Sequence, residues 1–182
     1  MRYPEGHREA VRASIVESAA RALRREGLDG VSIPALMKEA GLTHGGFYGY
    51  FKNRDQLVAE AITWAAQQTA ARVLSEGAGD LRAMLAEYLS EGHAKHPEVG
   101  CVLAALGTEG PKQSPPVRRA FAQVARGFVR LIDRQLRRKK ATPEPSDEAL
   151  RLSSQMVGAV VLARLVDDEA LAKRLLAAAR SA

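Results

Sequence analysis

Ser32-Ile-Pro-Ala-Leu-Met-Lys-Glu-Ala-Gly-Leu-Thr-His-Gly-Gly-Phe-Tyr-Gly-Tyr-Phe-Lys-Asn-Arg-Asp-Gln56 reads as two short helices joined by a tight turn, with a cationic stop and the start of a third helix behind them. Ser32 supplies the side-chain oxygen that an N-cap needs, and Pro34 falls in the first turn, where its missing N–H costs nothing. Gly41 makes the turn, Thr43 caps a second short helix over residues 44 to 50, and Asn53 or Arg54 opens the next. That order of cap, turn, aromatic-rich helix and basic stop is the layout of a helix-turn-helix, whose second helix can enter the major groove of duplex DNA.

Outward from this stretch, nearly every long segment carries apolar residues at helical period and none alternates like a strand. The spacing predicts nine helices. The first covers residues 8 to 25, with Val11, Ile15, Ala19, Ala22 and Leu23 on one face and Glu17, Arg21 and Arg24 elsewhere; Gly27 ends it. After the two short helices, a fourth runs from 54 to about 74, a fifth from Asp80 to about Lys95, and a brief sixth from about 99 to 108. The seventh spans about 117 to 139, the eighth runs from its cap at Ser146 to Leu165, and Asp167 caps a ninth to Arg180. Loops are expected at 75–79, 110–116 and 141–145, where Gly, Pro and Ser gather. The expectation is an all-α fold: an N-terminal three-helix DNA-binding unit over residues 1–55, then an effector-binding and dimerisation bundle over 56–182.

Leu36, Met37 and Ala40 of the first short helix, together with Val31, Leu42 and Phe47, are expected to pack inward, and the second is expected to leave Thr43, His44, Gly46, Tyr48 and Gly49 outward. Hydroxyls and an imidazole can bond phosphates or base edges, and Lys52 and Arg54 stand where cations hold the flanking backbone. Gly45, Gly46 and Gly49 leave few long side chains on this face, so DNA shape is expected to share in sequence choice.

Two runs, Gly27-Leu-x-x-Val-Ser32 and Glu39-Ala-Gly-Leu-Thr-His-Gly-Gly-Phe-Tyr-Gly-Tyr-Phe-Lys-Asn-Arg-Asp-Gln-Leu57, resemble the DNA-binding domain of the TetR/AcrR family of bacterial regulators. The resemblance covers about residues 8 to 60. It implies that Thr43, His44 and Gly46 face bases or phosphates, that Tyr48 contacts the backbone, that Arg54 clamps a phosphate, and that Phe47 and Phe51 are core. It also implies a homodimer on a near-palindromic DNA operator, released by a small-molecule effector held in the C-terminal bundle.

Composition agrees with a soluble globular chain: 46% apolar, 26% charged, with no uninterrupted apolar run long enough for a membrane span and no apolar signal core at the N-terminus. The single cysteine, Cys101, suits a reducing cytoplasm. The net charge of +6 favours polyanions. Residues 118–140 hold nine Lys or Arg and one acid, while residues 1–55 hold nine against seven acids. The most basic stretch is therefore the seventh helix, which reads first as a solvated face and second as a nonspecific nucleic-acid or architectural surface.

The eighth helix is apolar around most of its circumference, which calls for a partner on its outer side. Met156 and Val160, with Leu171 and Leu175 of the ninth, are the candidate dimer contacts, forming a four-helix seam with a second copy. Trp64, Met84, Tyr88, Phe121, Phe128 and Met156 are the large side chains available to an effector pocket. Cys101 is the candidate sensor of a reactive electrophile or oxidant, since a thiol near a helix start can ionise more readily. His93, His96 and Cys101 suggest a metal site, yet Pro97 interrupts their geometry and a fourth ligand is missing, so neither metal nor cofactor is expected. A Cys101-dependent enzyme lacks an oriented third group, so the chain is not expected to be an enzyme.

Overall fold

The computed structural model describes residues 6–76, 80–137 and 144–181. Among them are nine α-helices, three short 3-10 segments and no strand. α1 (His7–Glu26) turns Ile15, Val16, Ala19, Ala20 and Leu23 inward and stops at Gly27, whose φ of 84° few other residues adopt easily. α2 (Ile33–Glu39) starts where Ser32 Oγ accepts from the Ala35 N–H at 3.3 Å. Gly41, at φ 71°, reverses the chain, and the Leu42 N–H closes the turn on the Met37 carbonyl at 2.7 Å.

The expected third helix is a 3-10 segment, His44–Gly49, capped by Thr43 Oγ1 on the Gly46 N–H at 3.3 Å. Three glycines in six residues carry a high entropic cost in a helix, and so short a segment gains few hydrogen bonds to offset it. α3 (Arg54–Glu76) follows, with Asn53 Oδ1 accepting from the Gln56 N–H at 2.9 Å.

Further on, the single helix expected over 80–95 is two: α4 (Leu81–Tyr88) and α5 (Glu91–Lys95). Ser90 breaks it by capping α5, its Oγ accepting from the His93 N–H at 3.1 Å. A 3-10 turn at Pro97–Val99 leads to α6 (Val102–Leu106), and a second at Gly110–Lys112 to α7 (Pro115–Arg137). α8 (Asp147–Leu165) is capped by Ser146 as expected; α9 (Glu169–Arg180) is capped by Asp168, one residue beyond the expected Asp167, through bonds from the Ala170 and Leu171 N–H groups at 2.8 and 3.2 Å. Parts of the loops expected at 75–79 and 141–145 lie outside the described residues, as do Arg138, Lys139 and Lys140. Among the described residues, no helix is long and apolar enough to cross a membrane.

Two cores result. The first gathers α1, α2, Phe47, Phe51 and the first half of α3, and continues into Val102, Leu106, Val117, Ala120 and Phe121. The second holds Val73, Met84, Tyr88, Cys101, Ile132, Met156 and Val160, with Leu176 and Ala179 of α9. No break in packing occurs at residue 55, because α3 contributes Leu57, Val58, Ala61, Ile62 and Ala65 to the first core and Val73 to the second.

Candidate DNA-reading surface and the cavity behind it

Phe47 fixes the reading segment. Its ring is fully buried and stacks on Phe51 at 5.6 Å between centroids, while the next residue, Tyr48, is 66% exposed. His44 is also exposed and meets the Tyr48 ring edge-on at 6.4 Å, so imidazole and phenol stand side by side on one outward face. Thr43 spends its oxygen lone pair on the cap, which leaves its O–H as a donor. Gly45 and Gly49 are exposed and Gly46 partly so, as expected for a face of small residues.

The far end of the segment is held from α1. Arg8 donates to the Gly49 carbonyl, and Arg12 Nε to the Tyr50 carbonyl at 3.4 Å, while Arg12 also pairs with Glu60 at 2.6 Å and lies over the Phe51 ring. Lys52 is exposed, whereas Arg54 is half-buried and donates to the Leu28 carbonyl. Any phosphate contact by Arg54 would use its remaining N–H groups.

Behind this unit lies a cavity of about 320 Å³, bounded by α3, α4, α6, α7 and α8. Met84, Tyr88, Cys101, Phe128 and Met156 line it. Trp64 and Phe121 do not. The α3 wall is formed by Thr63, Ala66, Gln67 and Ala70, and Trp64, one step of about 100° round the helix from Thr63, faces a shallow cleft shared with Arg12 and Pro116 instead. Phe121 sits above the cavity with its ring against Gly110, where a Cβ would lie 3.0 Å from Cδ2.

The segment between α5 and α6 links cavity and reader. Buried His93 holds its Nδ1 against the Tyr88 carbonyl and accepts the Cys101 N–H on Nε2 at 2.8 Å. Nδ1 is therefore the protonated nitrogen, and burial lowers the imidazole pKa to about 4, so the ring is neutral near pH 7. Both nitrogens are thus engaged by backbone, and His96 lies on the surface beside Glu98. A Cβ on Gly100 would come within 2.6 Å of His93 Cδ2, so only glycine fits this crossing. The Gly100 carbonyl accepts from Arg24 Nη1 at 2.7 Å and from Thr69 Oγ1 at 3.1 Å. Nine residues on, Glu109 Oε2 accepts the Leu28 N–H at 2.8 Å. The chain from 100 to 109 is thereby stitched to the end of α1 and to the loop before α2.

Arg24 corrects the sequence reading. It is 5% exposed, and desolvation lowers its pKa to about 10 without discharging it. The amphipathic pattern of α1 assigned it to the polar side because its acceptor is a carbonyl 76 residues away, which local periodicity does not register.

On α8, Met156 and Val160 are 1% and 0% exposed and belong to the chain's own core, so they are not outer contacts. The outward apolar strip is Leu150, Leu162 and Leu165, at 46%, 49% and 75% exposed, with Leu171 of α9 at 39% and Leu175 half-buried. A helix apolar all round gives no phase, so periodicity alone could not choose between its faces. The arginines of α7, at 118, 119, 126, 130, 134 and 137, are exposed, as expected of a solvated face. Asp133 is buried and ties α7 to the start of α8, accepting from the Ser146 N–H at 2.9 Å and from Arg137 Nε at 2.9 Å.

Comparison with known proteins agrees with this geometry. Residues 15–61 match the family model for bacterial regulatory proteins of the tetR family, and residues 77–179 match that for the tetracyclin repressor-like C-terminal domain. An uncharacterized HTH-type transcriptional regulator of Mycobacterium tuberculosis is 30% identical over 167 residues, 86% of each chain. The reduced form of Escherichia coli NemR superposes with a TM-score of 0.77 at 21% identity over 94% of both chains. A TetR-family regulator from Cytophaga hutchinsonii gives 0.77 at 18% identity, covering all of this chain and 96% of that one. At these identities the two structures speak for the fold.

Proposed function

The chain belongs to the TetR family of bacterial regulatory proteins, a family of DNA-binding transcriptional regulators rather than of enzymes, and on that footing we propose that it is a ligand-released repressor that grips a near-palindromic operator as a homodimer. The observation that carries this reading is the pairing of His44 and Tyr48 on an exposed face anchored by buried Phe47. Such a face is short and poor in long side chains. Two copies at a fixed separation supply the selectivity that one lacks, and the half-site spacing follows from that separation.

Selection of bound fragments from random duplex DNA by the purified protein is expected to return one short inverted repeat. His44→Ala should change the preference at one base position. Tyr48→Phe should weaken all selected sequences alike, by about tenfold for one hydrogen bond to a phosphate. Enrichment of no sequence, with binding that falls steeply as salt rises, would favour instead a nonspecific surface on the arginines of α7.

Release rests on the stitched segment. Cys101 and Val102 line the cavity, and Gly100 beside them holds Arg24 and Thr69. An effector that fills the cavity displaces this wall, and the Arg24 and Glu109 tethers pass the shift to α1 and to the loop before α2. Linkage requires that operator binding weaken the effector by the same factor, about 5- to 150-fold for ordinary allosteric couplings. Glu109→Ala is expected to keep operator binding without effector and to lower that coupling several-fold. An unchanged ratio of operator affinities with and without effector would remove the tether from the mechanism. Because Cys101 is among the residues lining the cavity, an electrophile or oxidant of fitting size is a second effector class. Its release of DNA should vanish in Cys101→Ala.

A further inference from the structure

The cavity opens to solvent along a slit between α3 and α7. Gln67 and Leu74 on one edge, and Gln123, Gly127 and Arg134 on the other, line the cavity and are also exposed. Gln67 and Gln123 border the cleft that holds Arg12 as well, so they mark the end nearer the reading segment. Leu74 and Arg134, further along their helices, mark the far end. Among the described residues that line the cavity, Arg134 carries the one formal charge and none is acidic.

Nothing in the described fold neutralises that guanidinium. Arg134 has no hydrogen bond or ion pair among the described residues, and its neighbour Asp133 is buried and committed to Ser146 and Arg137. Arg130, one turn before it, is exposed on the same face and adds to a field that draws anions to the slit. Further in, the polar groups are spent. Thr69 Oγ1 lies between the Ala65 and Gly100 carbonyls at 3.0 and 3.1 Å, and Thr63 Oγ1 bonds the Ala59 carbonyl at 3.0 Å. The Tyr88 hydroxyl is buried beside the Cys101 thiol and offers a ligand nothing. An anionic head carried inward would lose its hydration with no donor to replace it, whereas at the slit it keeps water and gains Arg134. By the proportion of six benzene carbons in about 150 Å³, the volume of about 320 Å³ takes an apolar body of about ten to twelve carbons.

We infer that the cavity binds an apolar monocarboxylate of about ten carbons, its tail inward and its carboxylate on Arg134 at the far end of the slit. This rests on the cavity being the effector site. The test is calorimetric titration of the full-length protein with decanoate and with 1-decanol, which share a chain and differ in charge. In Arg134→Gln the decanoate-to-decanol affinity ratio is expected to fall about tenfold at low salt, and in Arg134→Lys to stay within about threefold. Arg130→Gln removes the same charge from the same face without touching the lining, so there the ratio should move by less than about threefold. Both positions are exposed, so these variants leave the core as it is. Binding of decanol alone, a ratio unchanged in Arg134→Gln, or one lowered equally in Arg130→Gln, would overturn Arg134 as the anchor while leaving the cavity reading intact. Binding of neither ligand to the wild type would overturn the cavity reading itself.

Discussion

Changing Leu162 and Leu165 together to glutamate is expected to yield a folded monomer whose operator affinity is about 10²- to 10⁴-fold lower, the range lost when two linked binding events become separate ones. The two leucines are 49% and 75% exposed on α8, and Leu150 continues the strip at 46%. Their helix is anchored by its other face, through Met156 and Val160, so the substitutions remove no core packing. A twofold interface sets each residue near its own copy or a neighbouring one, and four glutamates brought together there would repel while also needing desolvation. Analytical ultracentrifugation, circular dichroism and operator titration separate the possibilities. Met156→Glu is the contrast, since a charge in the core should cost the fold itself. A variant that sediments as the wild type does, or a monomeric wild type with full operator affinity, would show that this strip is not the seam.

The sequence made some features legible and hid others for physical reasons. Ser32, Gly41, Thr43 and Phe47 act within a few residues of themselves, through caps, a left-handed turn and an anchor, so their spacing alone defined the helix-turn-helix. The 3-10 form of His44–Gly49 followed from its glycines, whose effect on helix type is a matter of energy balance rather than pattern. Ser90 was a cap signal inside an apolar run, overridden in the reading by the periodicity on both sides. Arg24, His93 and Glu109 depend on carbonyl or N–H groups made available by tertiary packing, and no local rule finds such partners. The cavity was half legible for the same reason: large side chains announce a core, but which of them border empty space depends on helix phase. Trp64 and Phe121 lie outside the lining of this cavity, Trp64 facing the cleft beside Arg12 and Pro116.

Phe47→Ala should cost about 3–5 kcal/mol of stability, the usual range for a buried phenylalanine, and abolish operator binding. The reading segment has little else to define its shape. Its internal bonds are few: the Gly46 N–H to Thr43, and the Tyr50 and Phe51 N–H groups to the Phe47 carbonyl at 2.9 and 3.0 Å. Glycine at 45, 46 and 49 enlarges the ensemble of the unanchored chain, so without the ring the segment loses the conformation that sets His44 beside Tyr48. Gly45→Ala acts in the opposite direction. The site is exposed, a Cβ there meets nothing within 4 Å, and the smaller unfolded ensemble should raise stability by about 0.4–1 kcal/mol. Amide exchange distinguishes an anchor from a bystander. In Phe47→Ala, protection should fall first across residues 42–52 and only later in α7 and α8, because the second core is closed by other residues. Exchange that accelerates uniformly over the whole chain would mean that the segment has no stability of its own to lose, and that its shape is dictated by α1 and α3 through Arg8 and Arg12 rather than by its buried ring.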